Sequence, residues 1–285
     1  MLRRFSRERT TPLKRRVLPG FRLSLGITLV YAAIIILLPL AALIFKAASL
    51  GPADYWRIVS SERAVASYGV TVGSALVATL FNLVFGLALA WVLVRYRFPG
   101  RRIIDALVDL PFALPTAVAG ISLTTLFASN GWFGSALGQI GIKVAYTPLG
   151  IMVAMAFTSL PFIVRTVQPV LEELDPALEE AGQTLGSSDW GIFRRVILPL
   201  LTPALLAGTS LAFARSLGEF GAIIFIAGNQ PFSTEITALL AFIRLEEYDY
   251  PASAAIASVM LFAAFVMLAV TNYLQARALR YTVKG

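Results

Sequence analysis

The sequence predicts an all-α membrane protein with six transmembrane helices. Three observations carry that expectation. Of the 285 residues, 58% are hydrophobic and only 14% are charged, against about 25% charged in a soluble domain. Six apolar stretches follow one another, each near the length of about 20 residues that a helix needs to cross a bilayer. The basic residues fall mainly on alternate loops.

The first stretch lies between Arg22 and Lys46, with 23 uncharged residues. It is longer than the apolar core of a secretory signal, about 7–15 residues, and is expected to be retained. The second sits within 67–94. The third spans about 106–129, with Asp109 near its start. The fourth covers about 148–167. The fifth runs about 200–227 and carries Arg215 and Glu219. The sixth covers about 252–274. This divides the chain into a basic tail (1–22), a membrane domain (23–274) and a short C-terminal tail (275–285).

Charge sets the expected orientation. Of the 24 Lys and Arg residues, eighteen lie in the N-terminal tail, in or at the edge of the loops after stretches two and four (Arg165 at the edge of the latter), and in the C-terminal tail. Five (Lys46, Arg57, Arg63, Lys143, Arg244) lie on the opposite side, and Arg215 is inside a helix. The positive-inside rule places both termini in the cytoplasm. The net charge of +8 is thereby a topology signal near anionic headgroups, with no nucleic acid implied. The chain has no Cys and no His, which excludes disulfides, zinc sites built on those residues and His-based catalysis. No G-x-x-x-x-G-K-[ST] is present, since none of the lysines follows a Gly.

The loop between stretches four and five, 168–199, is charged and punctuated where its surroundings are apolar. Asp175-Pro176 is a helix start, with Asp as N-cap and Pro at the first position. Leu178, Ala181 and Leu185 make an apolar stripe. Gly186 is a C-terminal stop, and Ser187 or Ser188 caps a second short helix bearing Trp190, Phe193 and Ile197. Arg194 and Arg195 lie near its membrane end, and Pro199 begins the next span. Two short helices lying along the membrane surface are expected. The stripe suits either the protein's own helices and lipid headgroups or a partner's groove.

Glu180-Ala181-Gly182, then Gly186, then Val196-Ile197-Leu198-Pro199 closely resembles the EAA signature of ABC-importer permease subunits. Gly182 stands where the family has a second Ala, and Val196 where it has Ile. Further stretches are similar to the branch serving sulfate, thiosulfate and molybdate. They are RVLPGFRLSLGITLVY at 16–31, DLPFALPTAVAG at 109–120, FARSLGEFGAIIFIAGN at 213–229 and LEEYDYPASAAIASVM at 245–260. The T-type sulfate permease is the best match within that branch. The resemblance implies a type I importer permease of the bacterial inner membrane that binds no cofactor itself. The loop would be its coupling helix, with Glu180, Ala181, Gly182, Leu185, Gly186, Trp190, Phe193, Leu198 and Pro199 meeting the ATPase. The implied partners are a second permease (W-type, or a second copy), two ATPase subunits binding ATP and Mg, and an extracytoplasmic sulfate- or thiosulfate-binding protein. Molybdate or tungstate import is the alternative in the same class. A gradient-driven transporter and a membrane anchor are alternatives in other classes.

Pathway candidates follow from polar and helix-breaking residues at membrane depth. Arg215 and Glu219 are four apart and share a helix face. Either Arg215 lines the path for a dianion, or the pair neutralises itself as a packing element, which is the favoured reading. Weak neutral donors, Ser216 and backbone N–H groups near Gly218 and Gly221, then suit an anion that must be released. Pro111 and Pro115 remove backbone donors and suit a hinge, a pathway lining or plain helix packing. Asn130-Gly131-Trp132 and Asn229-Gln230-Pro231 mark external turns, suited to a binding protein or to interfacial anchoring.

Overall fold

The computed structural model describes residues 21–282, with side chains except at Arg22 and 274–282. The basic tail is therefore almost wholly outside the described residues, as is the end of the C-terminal tail. Among the described residues every regular element is helical. Five helices are long and apolar enough to cross a membrane: Leu23–Ala48, Glu62–Arg95, Pro148–Glu172, Asp189–Leu217 and Tyr250–Tyr273. The last continues as helix to Thr282.

The chain falls into two units, 1–45 and 46–285. In the first, the helix Phe21–Ala32 passes through a wide π turn at Ala33–Leu37. The turn ends where Leu38 donates its N–H to Ala33 O, and Pro39 follows. A second π turn, Phe193–Ile197, ends in the same way: Leu198 donates to Phe193 O and Pro199 follows. A proline ring clashes with the carbonyl four residues back and offers no N–H. Widening the turn just before it keeps the helix continuous.

The second unit is built on helix Glu62–Arg95, which packs along Pro148–Glu172 and Asp189–Leu217. Its inward face repeats small residues every three or four positions, among them Ser67, Thr71, Ala75, Ala78, Asn82, Gly86 and Ala90. Small side chains let membrane helices approach closely. Two apolar cores result. One gathers Met155, Phe213, Leu217, Ile223 and Ile226, and the other Leu93, Val164, Val167, Ile197 and Leu201.

Two predicted stretches depart from continuous helices. The third is broken into Arg101–Val108, Leu110–Ala113 and Thr116–Phe127. Leu114 is extended (φ −88°, ψ 136°), the conformation forced on a residue preceding proline. Apolarity alone could not show this break, because hydropathy is blind to the missing N–H groups. The fifth begins earlier, at Asp189, and ends at Leu217. In the rest of the predicted stretch only the single turn Ile223–Ile226 is helical, so Glu219 lies past the helix end. The segment returning from that turn is fastened by Arg63, which donates from Nε to Glu235 Oε2 at 2.8 Å and from Nη2 to Oε1 at 2.6 Å. Beside it the Thr237 N–H donates to Thr71 Oγ1 at 2.8 Å.

Candidate functional site

The loop after the fourth span forms as its capping residues dictate. Asp175 accepts the Ala177 N–H at 2.9 Å and opens the helix Pro176–Thr184. Leu185 ends it, and Gly186 takes φ 76°, a left-handed conformation that costs other L residues about 1–2 kcal/mol. There the Ser187 N–H turns back onto Gly182 O at 3.1 Å. Ser188 is the second cap, accepting the Gly191 N–H at 3.2 Å. The element that follows is not a second short helix along the membrane surface. It is the start of the fifth span, carried through the π turn without interruption.

No residue of Pro176–Thr184 is buried. Leu185 is 85% exposed and Trp190 69%, so the predicted stripe is not spent on the protein's own helices. Gly182 has a structural reason: a Cβ there would meet Ile192 Cγ1 at 2.9 Å. Its bareness lets the loop helix lie against the buried Ile192 at the root of the fifth span.

The loop is tied to the second span by a chain of contacts. Glu179 forms an ion pair with Arg95. The Arg95 guanidinium lies over the Trp91 ring at 5.3 Å. Trp91 meets Phe193 edge-on at 5.3 Å, and Phe193 stacks on Trp190 at 5.4 Å. Read along the sequence, Arg95 is one of the topology charges after the second stretch and Glu179 has no assigned partner. Nothing in periodicity pairs residues 84 apart. A second hub escaped it too. Arg165 donates to Asp105 Oδ1 at 2.6 Å and to both Asp109 oxygens at 2.8 and 2.7 Å, pinning the broken third segment to the fourth span.

At the candidate pathway, Arg215 and Glu219 do meet, with Arg215 Nη2 2.7 Å from Glu219 Oε2. Oε2 has no hydrogen-bond partner, so this is an ion pair without hydrogen-bond alignment. Glu219 is 1% exposed, and its Oε1 accepts the Ala222 N–H at 2.9 Å. Glu219 thereby also shapes the turn after the helix. Ser216 is buried, and its Oγ has no partner among the described residues. Gly218 is the exposed C-cap. Gly221 faces Thr116, just beyond the exposed Pro115. One turn further along, Gly120 lies so close to Ala222 that a Cβ would sit 2.7 Å from its Cα. The two stretches 109–120 and 213–229 are thus brought together. Pro111 is buried in a segment that packs on the fourth span, where Phe112 meets Phe162 edge-on at 5.2 Å.

Of the turns expected to be external, Asn130 and Trp132 line a hollow of about 530 Å³ with Thr124 and Tyr146. The Tyr146 N–H donates to Ile226 O at 2.7 Å, joining this rim to the 213–229 segment. Asn229 takes φ 53° and donates from its side chain to Ile224 O at 2.9 Å.

Residues 82–280 match the family described as binding-protein-dependent transport system inner membrane component. The chain is 59% identical over 263 residues to the sulfate transport system permease protein CysT of Escherichia coli (strain K12), covering 92% of this chain and 95% of that one. It is 49% identical over 255 residues to CysT of Synechocystis sp., covering 90% and 89%. Among solved structures, a bacterial alginate ABC transporter in complex with an alginate pentasaccharide-bound periplasmic protein superposes with TM-score 0.74 at 19% identity, covering 90% of this chain and 94% of that one. The MetNI methionine ABC transporter gives TM-score 0.61 at 17% identity, over 80% and 99%. These likenesses show the fold of an ABC importer permease. The helical unit, the exposed loop at the root of its fifth span and the family match agree: the chain belongs to the binding-protein-dependent transport system inner membrane components.

Proposed function

We propose that this chain is a permease subunit of an ATP-driven sulfate importer and forms half of its translocation pathway. The observation that carries the reading is the 59% identity to a sulfate permease across 92% of the chain. Thiosulfate shares the tetrahedral dianionic shape and is the expected second substrate. The full complex adds a second permease subunit, two ATPase subunits that bind ATP and Mg, and an extracytoplasmic binding protein. Both termini face the cytoplasm, as the basic loops require. The chain performs no covalent chemistry.

Coupling runs through the loop after the fourth span. Its exposed Leu178, Leu185 and Trp190 supply an apolar face that a cleft on the ATPase covers. ATP closes the ATPase pair, the loops move with it, and the pathway opens outward to receive the anion. Hydrolysis resets it inward. Because the loop is tied to the second span through Glu179, Arg95, Trp91 and Phe193, its displacement moves the helix on which the core is built. In the pathway, Arg215 and Glu219 act as a packing pair that shapes the turn beside Gly221. Neutral donors there, Ser216 among them, hold the anion weakly enough to let it leave.

The test is uptake of labelled sulfate into proteoliposomes holding the complete complex, with ATP inside and binding protein outside. ATP-dependent uptake blocked by thiosulfate and not by molybdate is expected. Uptake of molybdate alone would reassign the substrate and leave the importer intact. Gradient-driven uptake without ATP would remove the coupling role.

A further inference from the structure

The turn after the second span holds three arginines that the rest of the described chain leaves alone. Arg97, Arg101 and Arg102 line one hollow of about 380 Å³, together with Phe98, Gly100 and Ile103. Gly100, at φ 86°, turns the chain so that Arg97 joins the two arginines opening helix Arg101–Val108. None of the three makes an ion pair among the described residues. The acids in and just after that helix are ion-paired elsewhere. Asp105 and Asp109 are both held by Arg165, and Glu179 is held by Arg95. Arg165 with Asp105 and Asp109 sums to one negative charge, so the three arginines keep a net excess of two positive charges over their own helix and its cap.

A second observation says what kind of anion fits. On the same short helix Ile103 is 67% exposed and Leu107 54%. They are four apart and share one face, while Val108 is buried on another. A free inorganic oxyanion has no use for that apolar face. A phospholipid has: its chains cover the Ile103–Leu107 face while its phosphate meets the guanidinium groups. Guanidinium forks match phosphate oxygens two at a time.

We propose that Arg97, Arg101 and Arg102 bind the phosphodiester headgroup of an anionic phospholipid, with its chains lying along Ile103 and Leu107. The topology proposed above serves only to place this lipid in the cytoplasmic leaflet. The bound lipid holds helix Arg101–Val108 at the membrane surface. Through Arg165 it steadies the fourth span, from which the coupling loop leaves.

The experiment is native mass spectrometry of the complete importer complex released from phosphatidylglycerol-containing membranes. It compares wild type, Arg97→Gln/Arg101→Gln/Arg102→Gln, and the matching triple Lys variant, which preserves the charge that sets topology. Wild type is expected to retain phosphatidylglycerol, the Lys variant to retain several-fold less, and the Gln variant to lose it. If the Gln variant fails to insert, the Lys variant decides. Equal retention in wild type and the inserted variants overturns the proposal, as does a wild-type complex that retains no anionic lipid. In phosphatidylcholine nanodiscs, wild type is expected to bind added phosphatidylglycerol and not inorganic phosphate. Equal binding of inorganic phosphate would assign the hollow to a free oxyanion and overturn the lipid.

Discussion

Arg95, the last residue of the second span, is ion-paired with Glu179 on the loop helix, although the two stand 84 positions apart. Nothing in that loop helix is buried; the close approach of Gly182 to Ile192 holds it to the root of the fifth span, and this pair holds it to the second. Both side chains remain about a quarter exposed, 24% and 28%, so the pair is worth only about 1 kcal/mol to stability. Its importance is geometric. Glu179→Gln is expected to shift the melting temperature of the purified chain by no more than a few degrees and to raise the ATP hydrolysed per sulfate transported. Glu179→Arg should do worse, and adding Arg95→Glu should restore much of the ratio. No recovery in the reversed pair would count against a positioning role.

Leu185 and Trp190 face outward from the loop. Replacing an exposed apolar residue away from special features changes stability by only about 0.5 kcal/mol. Leu185→Asp is therefore expected to fold normally and to lose ATPase association in a pull-down, with transport falling at least tenfold, about 1.4 kcal/mol or more. Retained association would show that some other surface carries docking.

Gly186 offers a cleaner separation of backbone from packing. A Cβ there meets nothing within 4 Å, so within this chain a substitution acts first through its φ of 76°. Asn tolerates that region and Val does not. Transport is expected to order as wild type, then Gly186→Asn, then Gly186→Val. Equal activity of the two variants would mean that the turn is not held in this conformation during coupling.

Gly120 and Ala222 bring the third and fifth segments together at backbone distance. Gly120→Ala forces backbone, not a flexible side chain, to move. A loss of about 1–3 kcal/mol is expected from such overpacking, read as a lower melting temperature in detergent together with reduced uptake. Gly138→Ala, with open space around it, is the matched control.

Arg215→Gln leaves Glu219, only 1% exposed, without its counter-charge. Breaking a buried pair in this way costs on the order of 3 kcal/mol. The double variant Arg215→Gln/Glu219→Gln keeps an acceptor for the Ala222 N–H and is expected to recover stability and sulfate uptake. Recovered stability without uptake would instead make Arg215 part of the anion path.

The sequence by itself determined the membrane class, the loop and its punctuation. Apolar runs of bilayer length, Asp175-Pro176, Gly186 and Ser188 act through local physics: burial in lipid, first-turn donors and a positive φ. Each of these is a property of a few adjacent residues and can be read one residue at a time. Pro111 and Pro115 were marked as breakers for the same reason, but whether the third stretch bends or parts depended on what supports its fragments. That support is Arg165 binding Asp105 and Asp109 from the fourth span. Likewise the pattern spaced Arg215 and Glu219 correctly for an ion pair, while the helix ending at Leu217, with Glu219 turned onto Ala222, came from packing against Thr116 and Gly120. The Arg95–Glu179 link and the Arg63–Glu235 clamp are likewise matters of tertiary structure. Their partners are far apart in the chain, and only the close packing of helices over small residues brings such charges within reach.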